Sequence, residues 1–255
     1  MTQHPQHPQQ DQPPLSGILV IDKPYAMTSM TVCSSVRARL RRGGAPKRVK
    51  VGHGGTLDPL ATGVLVVLVG KATPLCNAIM EGQKEYLAGI DLSATSPTDD
   101  LESEPVPVPG AAPPNTDTIN EVCARFIGTI QQRPPAHSAV KIGGERSYAR
   151  ARRGETIEPE PRPVRIDAID IVSLDWPVLT LRVVSGKGVY IRSLARDMGR
   201  ELTGGGVLVS LRRTRVGAFD ESMAVGLDDL PRVMTSDDLL PVPAHLARPR
   251  PADDR

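Results

Sequence analysis

The residues that most constrain this chain run from Val49 to Lys71, V-K-V-G-H-G-G-T-L-D-P-L-A-T-G-V-L-V-V-L-V-G-K. Val64 to Val69 is an unbroken apolar run, rich in β-branched residues and bounded by Gly63 and Gly70. Such a run predicts a strand buried on both faces. The loop in front of it holds Gly52, Gly54 and Gly55, residues that let a backbone turn tightly or approach a ligand closely. Its carboxylate, Asp58, precedes Pro59, and proline holds the residue before it extended. Asp58 is therefore set in defined geometry at the mouth of a rigid element, with His53 five residues upstream. Aspartate before proline is also ordinary turn chemistry, and taken alone these residues fit either reading.

The remaining elements follow from periodicity and caps. Gly17 to Asp22 predicts a short strand, and Thr28 or Ser29 caps a helix that runs through Arg41 and stops at Gly43-Gly44. Ala72 to Met80 predicts a short helix and Lys84 to Leu92 an alternating strand. Ser93 to Asn115 is rich in Pro, Ser, Thr and acids and predicts an exposed loop. Thr116 to Phe126 suits an amphipathic helix closed by Gly128. Val164 to Leu174 and Val178 to Ser185 predict strands, and Gly204 to Phe219 a loop and strand.

Charge is informative in its distribution rather than its sum. The formal net charge is only +2, so a nucleic-acid partner cannot be argued from the total. Yet Arg37, Arg39, Arg41, Arg42, Lys47, Arg48 and Lys50 follow one another with no acidic residue between them and lead directly into the glycine loop. That run predicts a phosphate-contacting patch. A length of 255 residues and a hydrophobic fraction of 39% support a real core, and with aromatics at 3% aliphatic side chains must fill it. No apolar run approaches the roughly 18 residues that span a membrane. Met1 to Pro14 lacks the apolar centre of a secretory signal and predicts a disordered tail, in which His4 and His7 carry no metal argument. Cys33, Cys76 and Cys123, odd in number and widely spaced, predict reduced thiols in a cytoplasm.

The loop G-H-G-G-T-L-D-P-L-A-T-G-V-L is similar to the catalytic signature of the TruB family, the bacterial tRNA pseudouridine synthases of the B type, which isomerise uridine 55 in the T loop. Further segments extend the resemblance over about residues 17 to 220. D-K-P-Y-A-M-T-S resembles the motif D-K-P-x-G-x-T-S, with Ala26 where glycine is expected. There Lys23 fits either a residue that holds the site or a solvated lysine. K-E-Y-L places Tyr86 in the pocket. S-P-T-D-D departs from T-D-T-x-D, with Pro97 for the first acid and Asp100 aligned with the second. The segment from Arg133 to Arg165 resembles an inserted element that clamps an RNA stem-loop, where Lys141, Arg146, Arg150, Arg152 and Arg153 reach phosphates. S-G-K-G-V-Y-I-R-S-L-A-R-D-M-G supplies Tyr190 and Arg192, two apart and so on the same side of an extended backbone, ahead of a helix expected from Ser193. G-G-G-V-L-V-S-L-R-R-T-R-V-G-A-F puts Leu211 in an apolar wall and sets out Arg212, Arg213 and Arg215 for RNA or for structure.

The resemblance implies an α/β (α+β) fold: a mixed, mainly antiparallel sheet flanked by helices, with residues 133–165 projecting from it. It implies a catalytic domain over residues 15–220 and a short tail over 221–255, too short for the PUA module that follows in most relatives. It implies that the uridine is everted into a pocket, with His53 taking the vacated space. Asp58 then either attacks the sugar or removes a proton to form a glycal. Tyr86 stacks on the uracil, Tyr190 lies against base or ribose, and Arg192 holds Asp58 through charge and bidentate hydrogen bonds. Arg41, Arg42, Lys50, Lys141, Arg146, Arg150, Arg153, Arg212 and Arg213 are the expected RNA contacts. No cofactor and no metal enter this scheme. The expected partner is the tRNA T-arm stem-loop, met by a cytoplasmic monomer. Two other classes stand against it. A non-catalytic RNA-binding protein or tRNA-folding chaperone leaves Asp58 without a purpose. A phosphate-ester enzyme lacks the lysine and hydroxyl spacing of a phosphate loop.

Overall fold

In the computed structural model, residues 15–136, 141–142, 145–146, 153, 159–244 and 246 are described. Arg150 and the N-terminal segment 1–14 lie outside them. The chain opens with β1 (Ser16–Lys23), α1 (Ser29–Arg42), β2 (Val51–His53) and β3 (Thr62–Gly70). After a 3₁₀ turn come α2 (Cys76–Glu81), β4 (Lys84–Asp91), the short pair β5 (Ala94–Thr95) and β6 (Val106–Pro107), and α3 (Thr116–Phe126). Next are β7 (Gly128–Gln132), the hairpin β8 (Lys141–Ile142) and β9 (Glu145–Arg146), then β10 (Arg162–Asp175) and β11 (Val178–Ser185). α4 (Ile191–Thr203), β12 (Val207–Val216), β13 (Phe219–Asp220) and β14 (Val225–Gly226) complete it.

Among the described residues, one sheet of ten strands runs in the order β14-β1-β3-β12-β4-β11-β10-β7, with β2 on β3 and β13 on β12. Its pairings are antiparallel except β1 with β14 and β3 with β12. The expected mixed, mainly antiparallel sheet is therefore present. β3 is buried from Gly63 to Val69, as its unbroken apolar run requires. Its odd-numbered side chains face a core with α1, and its even-numbered ones a second core with Ile79 and Phe219. A third and larger core lies under α3 and α4 against β4, β10 and β11.

β3 and β12 meet only at Thr62–Arg212 and Gly63–Arg213. Gly63 is needed there: its φ is +98°, and a Cβ would come within 2.3 Å of the Arg213 carbonyl oxygen. The sheet is thus two halves joined at a short parallel seam.

Local chemistry explains the helix ends. The Thr28 hydroxyl accepts from the Thr31 amide at 3.0 Å and starts α1. Asn115 does the same for α3 through the Thr118 amide at 2.8 Å. One expectation is corrected. α4 begins at Ile191, so Tyr190 is its extended N-cap and Arg192 is already helical; the apolar faces of Ile191 and Leu194 draw the helix start into the core. Within the expected tail, residues 225–240 pack against the sheet and α1. β14 pairs with β1, Leu240 bridges Ile18, and Leu227, Leu230 and Met234 enter the α1 core.

Candidate active site

Asp58 lies in the turn between β2 and β3, at the seam. Three buried side chains hold the backbone around it. Arg213, 2% exposed, donates Nη2 to the Gly55 carbonyl at 3.1 Å, Nη1 to Thr56 at 3.2 Å and Nε to Val64 at 2.8 Å. Ser29 Oγ donates to the Leu57 carbonyl at 3.0 Å and accepts from the Leu57 amide at 2.9 Å. Lys23 Nζ donates to Pro59 at 3.1 Å, to Pro24 at 2.8 Å and to Met27 at 2.7 Å. The peptides on either side of Asp58 are therefore pinned from below, and an ammonium has three donors to give. Lys23 is fully buried, so it is not a solvated lysine. Burial lowers its ammonium from 10.5 to about 8, against the opposing pull of Asp58.

The Asp58 side chain itself faces a guanidinium. Arg192 Nε is 3.0 Å from Asp58 Oδ2, and Arg192 Nη1 is 3.2 Å from Asp100 Oδ2. Arg192 and Asp100 are each 6% exposed, whereas Asp58 is 39% exposed. One cation thus sits between a closed-off carboxylate and an open one. One turn along α4, Arg196 Nη1 reaches Asp99 Oδ2 at 2.8 Å and Arg196 Nη2 donates to the Arg133 carbonyl at 3.0 Å. Burial raises the Asp99 carboxyl, and Arg196 opposes the shift. Asp99 adopts a φ of 62°, a left-handed conformation that aspartate tolerates. These acids are the site residues that sequence reasoning underrated. Their signal was present in two adjacent aspartates facing arginines spaced i, i+4 on one helix.

A small cavity joins Asp58, Arg192 and Asp100 to Leu60, Ala61, Leu101, Leu208 and Leu211. It encloses about 20 Å³, roughly one water. Leu211 lies in the apolar part of this lining, which it shares with Asp58. Tyr86 is 8% exposed and packs with Leu57 and Ala61 in the large core, beneath the same loop. Tyr190 exchanges two backbone hydrogen bonds with the Gln132 amide, at 2.8 and 3.1 Å, and its ring lies 5.3 Å below the Arg162 guanidinium. His53 ends β2, paired with Val67. Burial, helped by Arg213, lowers its imidazole below the usual value and favours the neutral ring.

The expected RNA contacts divide. Arg37, Arg41, Lys47, Arg48 and Lys50 line an open concavity of about 480 Å³ beside β2, with Thr73 and Gly52 at its floor. Arg42 is exposed at the end of α1 and donates to the Arg232 carbonyl at 3.3 Å. Lys141 and Arg146 pair across β8–β9, and Arg153 is exposed. Arg213 is corrected: strand alternation turns it inward, where its three nitrogens bind loop carbonyls rather than phosphates. Arg212 points the other way but is held by Asp22 at 2.9 and 3.1 Å and by Glu221, so its charge is already compensated.

Comparison with known proteins shows the family. The profile of the TruB family pseudouridylate synthase N-terminal domain matches residues 42–191, and that of the tRNA pseudouridylate synthase B C-terminal domain matches residues 192–242. The chain is 41% identical over 213 residues to tRNA pseudouridine synthase B of Parabacteroides distasonis, covering 84% of this chain and 91% of that one. It is 41% identical over 239 residues to the protein of that name from Xanthomonas oryzae pv. oryzae, covering 92% and 76%. A chain from the crystal structure of a Cbf5-Nop10-Gar1 complex superposes with a TM-score of 0.64 at 32% identity, over 84% of this chain and 53% of that one. A chain from an H/ACA RNP bound to a substrate RNA containing 2'-deoxyuridine gives 0.61 at 29% identity, over 84% and 52%. The chain spans about half the length of these solved chains.

Proposed function

Because the chain belongs to the TruB family of pseudouridylate synthases, we propose that it converts uridine 55 in the T loop of tRNA to pseudouridine. The observation that carries this reading is the open carboxylate of Asp58 on a pinned loop, backed by an arginine whose other partner is buried. The reaction breaks the N1–C1′ bond of the uridine, turns the uracil, and joins C5 to C1′; C5 gives up a proton and N1 takes one, with no change of redox state.

A stacked base is out of reach, so the nucleotide leaves the loop for a few kcal/mol of unstacking. His53, neutral and at the end of β2, fills the space it vacates. The cavity holds about one water, so the half-exposed wall of Leu60 and Leu101 parts to admit uracil. Asp58 acts on the sugar as nucleophile or base, and the Arg192 charge beside it keeps the carboxylate aimed through both routes. Leu211 supplies the apolar floor, Tyr86 the ring beneath the loop, and Tyr190 the lateral contact. Arg41, Arg42, Lys50 and the residue 133–165 insertion take the phosphates of the T-arm, whose folded shape is read rather than a duplex groove. The protein works as a cytoplasmic monomer.

The test is incubation of the purified chain with an unmodified tRNA transcript and mapping of pseudouridine at every uridine. Product at position 55, absent with Asp58→Asn while tRNA binding persists, is expected. Bound tRNA without product from the wild type overturns the enzyme reading; product only outside the T loop overturns the substrate reading.

A further inference from the structure

Tyr25 is 57% exposed in a chain where aromatics are 3% of residues. It stands with Ala26 at the tip of the turn between β1 and α1. An exposed tyrosine is unremarkable on its own, but this one is tied to the catalytic loop. The Lys23 ammonium binds the Pro24 carbonyl at 2.8 Å and the Pro59 carbonyl at 3.1 Å. Those oxygens therefore lie no more than about 6 Å apart, given the two bond lengths. Tyr25 follows Pro24 directly and Asp58 precedes Pro59 directly, so one buried cation fixes the relative position of the exposed ring and the reactive carboxylate.

The turn also bears strain. Ala26 has a φ of 58°, a left-handed conformation in which a Cβ is penalised. Lys23 overdetermines it by binding the carbonyls before and after the tip, at Pro24 and Met27. Strain held in this way marks a backbone whose shape is in use. What the shape does here is present the tyrosine ring outward. Met30, on the first turn of α1, is likewise 53% exposed.

We propose that Tyr25 is a base-stacking residue, which receives an unpaired nucleotide next to the everted uridine and so favours a loop over a stem as substrate. The proposal rests on the tRNA reading above and adds a specificity determinant to it. Unpaired bases are held by stacking on aromatic rings, a contact that needs no hydrogen-bond partner and tolerates any base. Tyr25 occupies the open position of D-K-P-x-G-x-T-S, so the contact belongs to this chain's own fit.

The test uses the full chain with wild type, Tyr25→Ala and Tyr25→Phe. With tRNA transcript, Tyr25→Ala raises KM about 5- to 100-fold, the range of one lost stack, with kcat within about twofold, while Tyr25→Phe stays close to wild type. In parallel, T-loop nucleotides are replaced one at a time by 2-aminopurine, and fluorescence is followed on binding. Quenching at one position beyond that given by Tyr25→Ala is expected. An unchanged KM, a loss in kcat alone, a Phe variant as impaired as Ala, or equal quenching in wild type and Tyr25→Ala overturns the proposal. If the wild type forms no pseudouridine, the function reading falls separately, and the fluorescence measurement, which needs binding only, still decides Tyr25.

Discussion

Arg192 places its Nε 3.0 Å from Asp58 Oδ2 while spending Nη1 on Asp100 at 3.2 Å, and only the Asp58 end of this chain of charges is open to solvent. The burial difference separates structure from chemistry. Arg192→Met leaves Asp100 charged and closed in, so it lowers stability by about 3–5 kcal/mol. Asp58→Asn leaves Arg192 paired with Asp100, so its cost in stability is under about 1 kcal/mol. Both variants lose activity. Urea unfolding curves set beside product yields check the contrast.

The reciprocal hydrogen bonds between Ser29 Oγ and Leu57 make a second prediction. Ser29→Ala strands a buried amide and a buried carbonyl next to Asp58, at a cost of about 1–3 kcal/mol. The looser loop lowers kcat by about ten- to a hundredfold, since small misplacements of a reacting group are expensive. tRNA affinity stays within about twofold of wild type. Equal losses in affinity and kcat contradict this.

Stability should rise with pH above about 8. Burial lowers Lys23 and Lys84 from 10.5 to about 8 each. Between those values the unfolded chain holds protons that the folded chain has released, so stability rises with pH. Burial also raises Cys33 from 9.0 to about 11, and Cys76 and Cys123 upward from 9.0. Above 9.0 the folded chain keeps thiol protons that the unfolded chain loses, which opposes that rise. Denaturation at pH 7.5 to 10 reads the slope. Replacing Cys33, Cys76 and Cys123 by alanine steepens the rise above 9.0.

The concavity beside β2 is open and lined by five cations. Neutralising two of them, Arg48→Gln with Lys50→Gln, should reduce the slope of log K against log salt by about 1.4–1.8 for tRNA binding. A slope unchanged from wild type removes this patch from the RNA footprint.

Ala26→Gly relieves a left-handed φ of 58° and should stabilise the chain by up to about 1 kcal/mol, despite the added freedom of the unfolded state. Thermal unfolding checks the sign.

The loop around Asp58 was legible in the sequence because it is contiguous: glycines, aspartate, proline and an apolar strand follow in order. β1, α1, β4, α3, β10 and β11 were legible for the same reason, from alternation and caps. What escaped depends on distant segments meeting. Asp99 and Asp100 acquire meaning only against Arg192 and Arg196, which lie more than ninety positions further along the chain. Arg212 and Arg213 look alike in sequence, yet adjacent strand residues face opposite ways, and one became a scaffold and the other a surface ion pair. Lys23 showed no sign of burial, since its environment is made of three carbonyls contributed by two turns distant in sequence.

The parallel seam carries a consequence for control of the enzyme. Asp58 belongs to the half built on β3, and Arg192 to the half that begins at β12. Backbone pairing joins those halves at Thr62–Arg212 and Gly63–Arg213 alone, and Arg212 and Arg213 add side-chain bonds across the same line. The Asp58–Arg192 ion pair is therefore a gauge of alignment between two plates: a tilt of one against the other would part the two charges while each core stays packed.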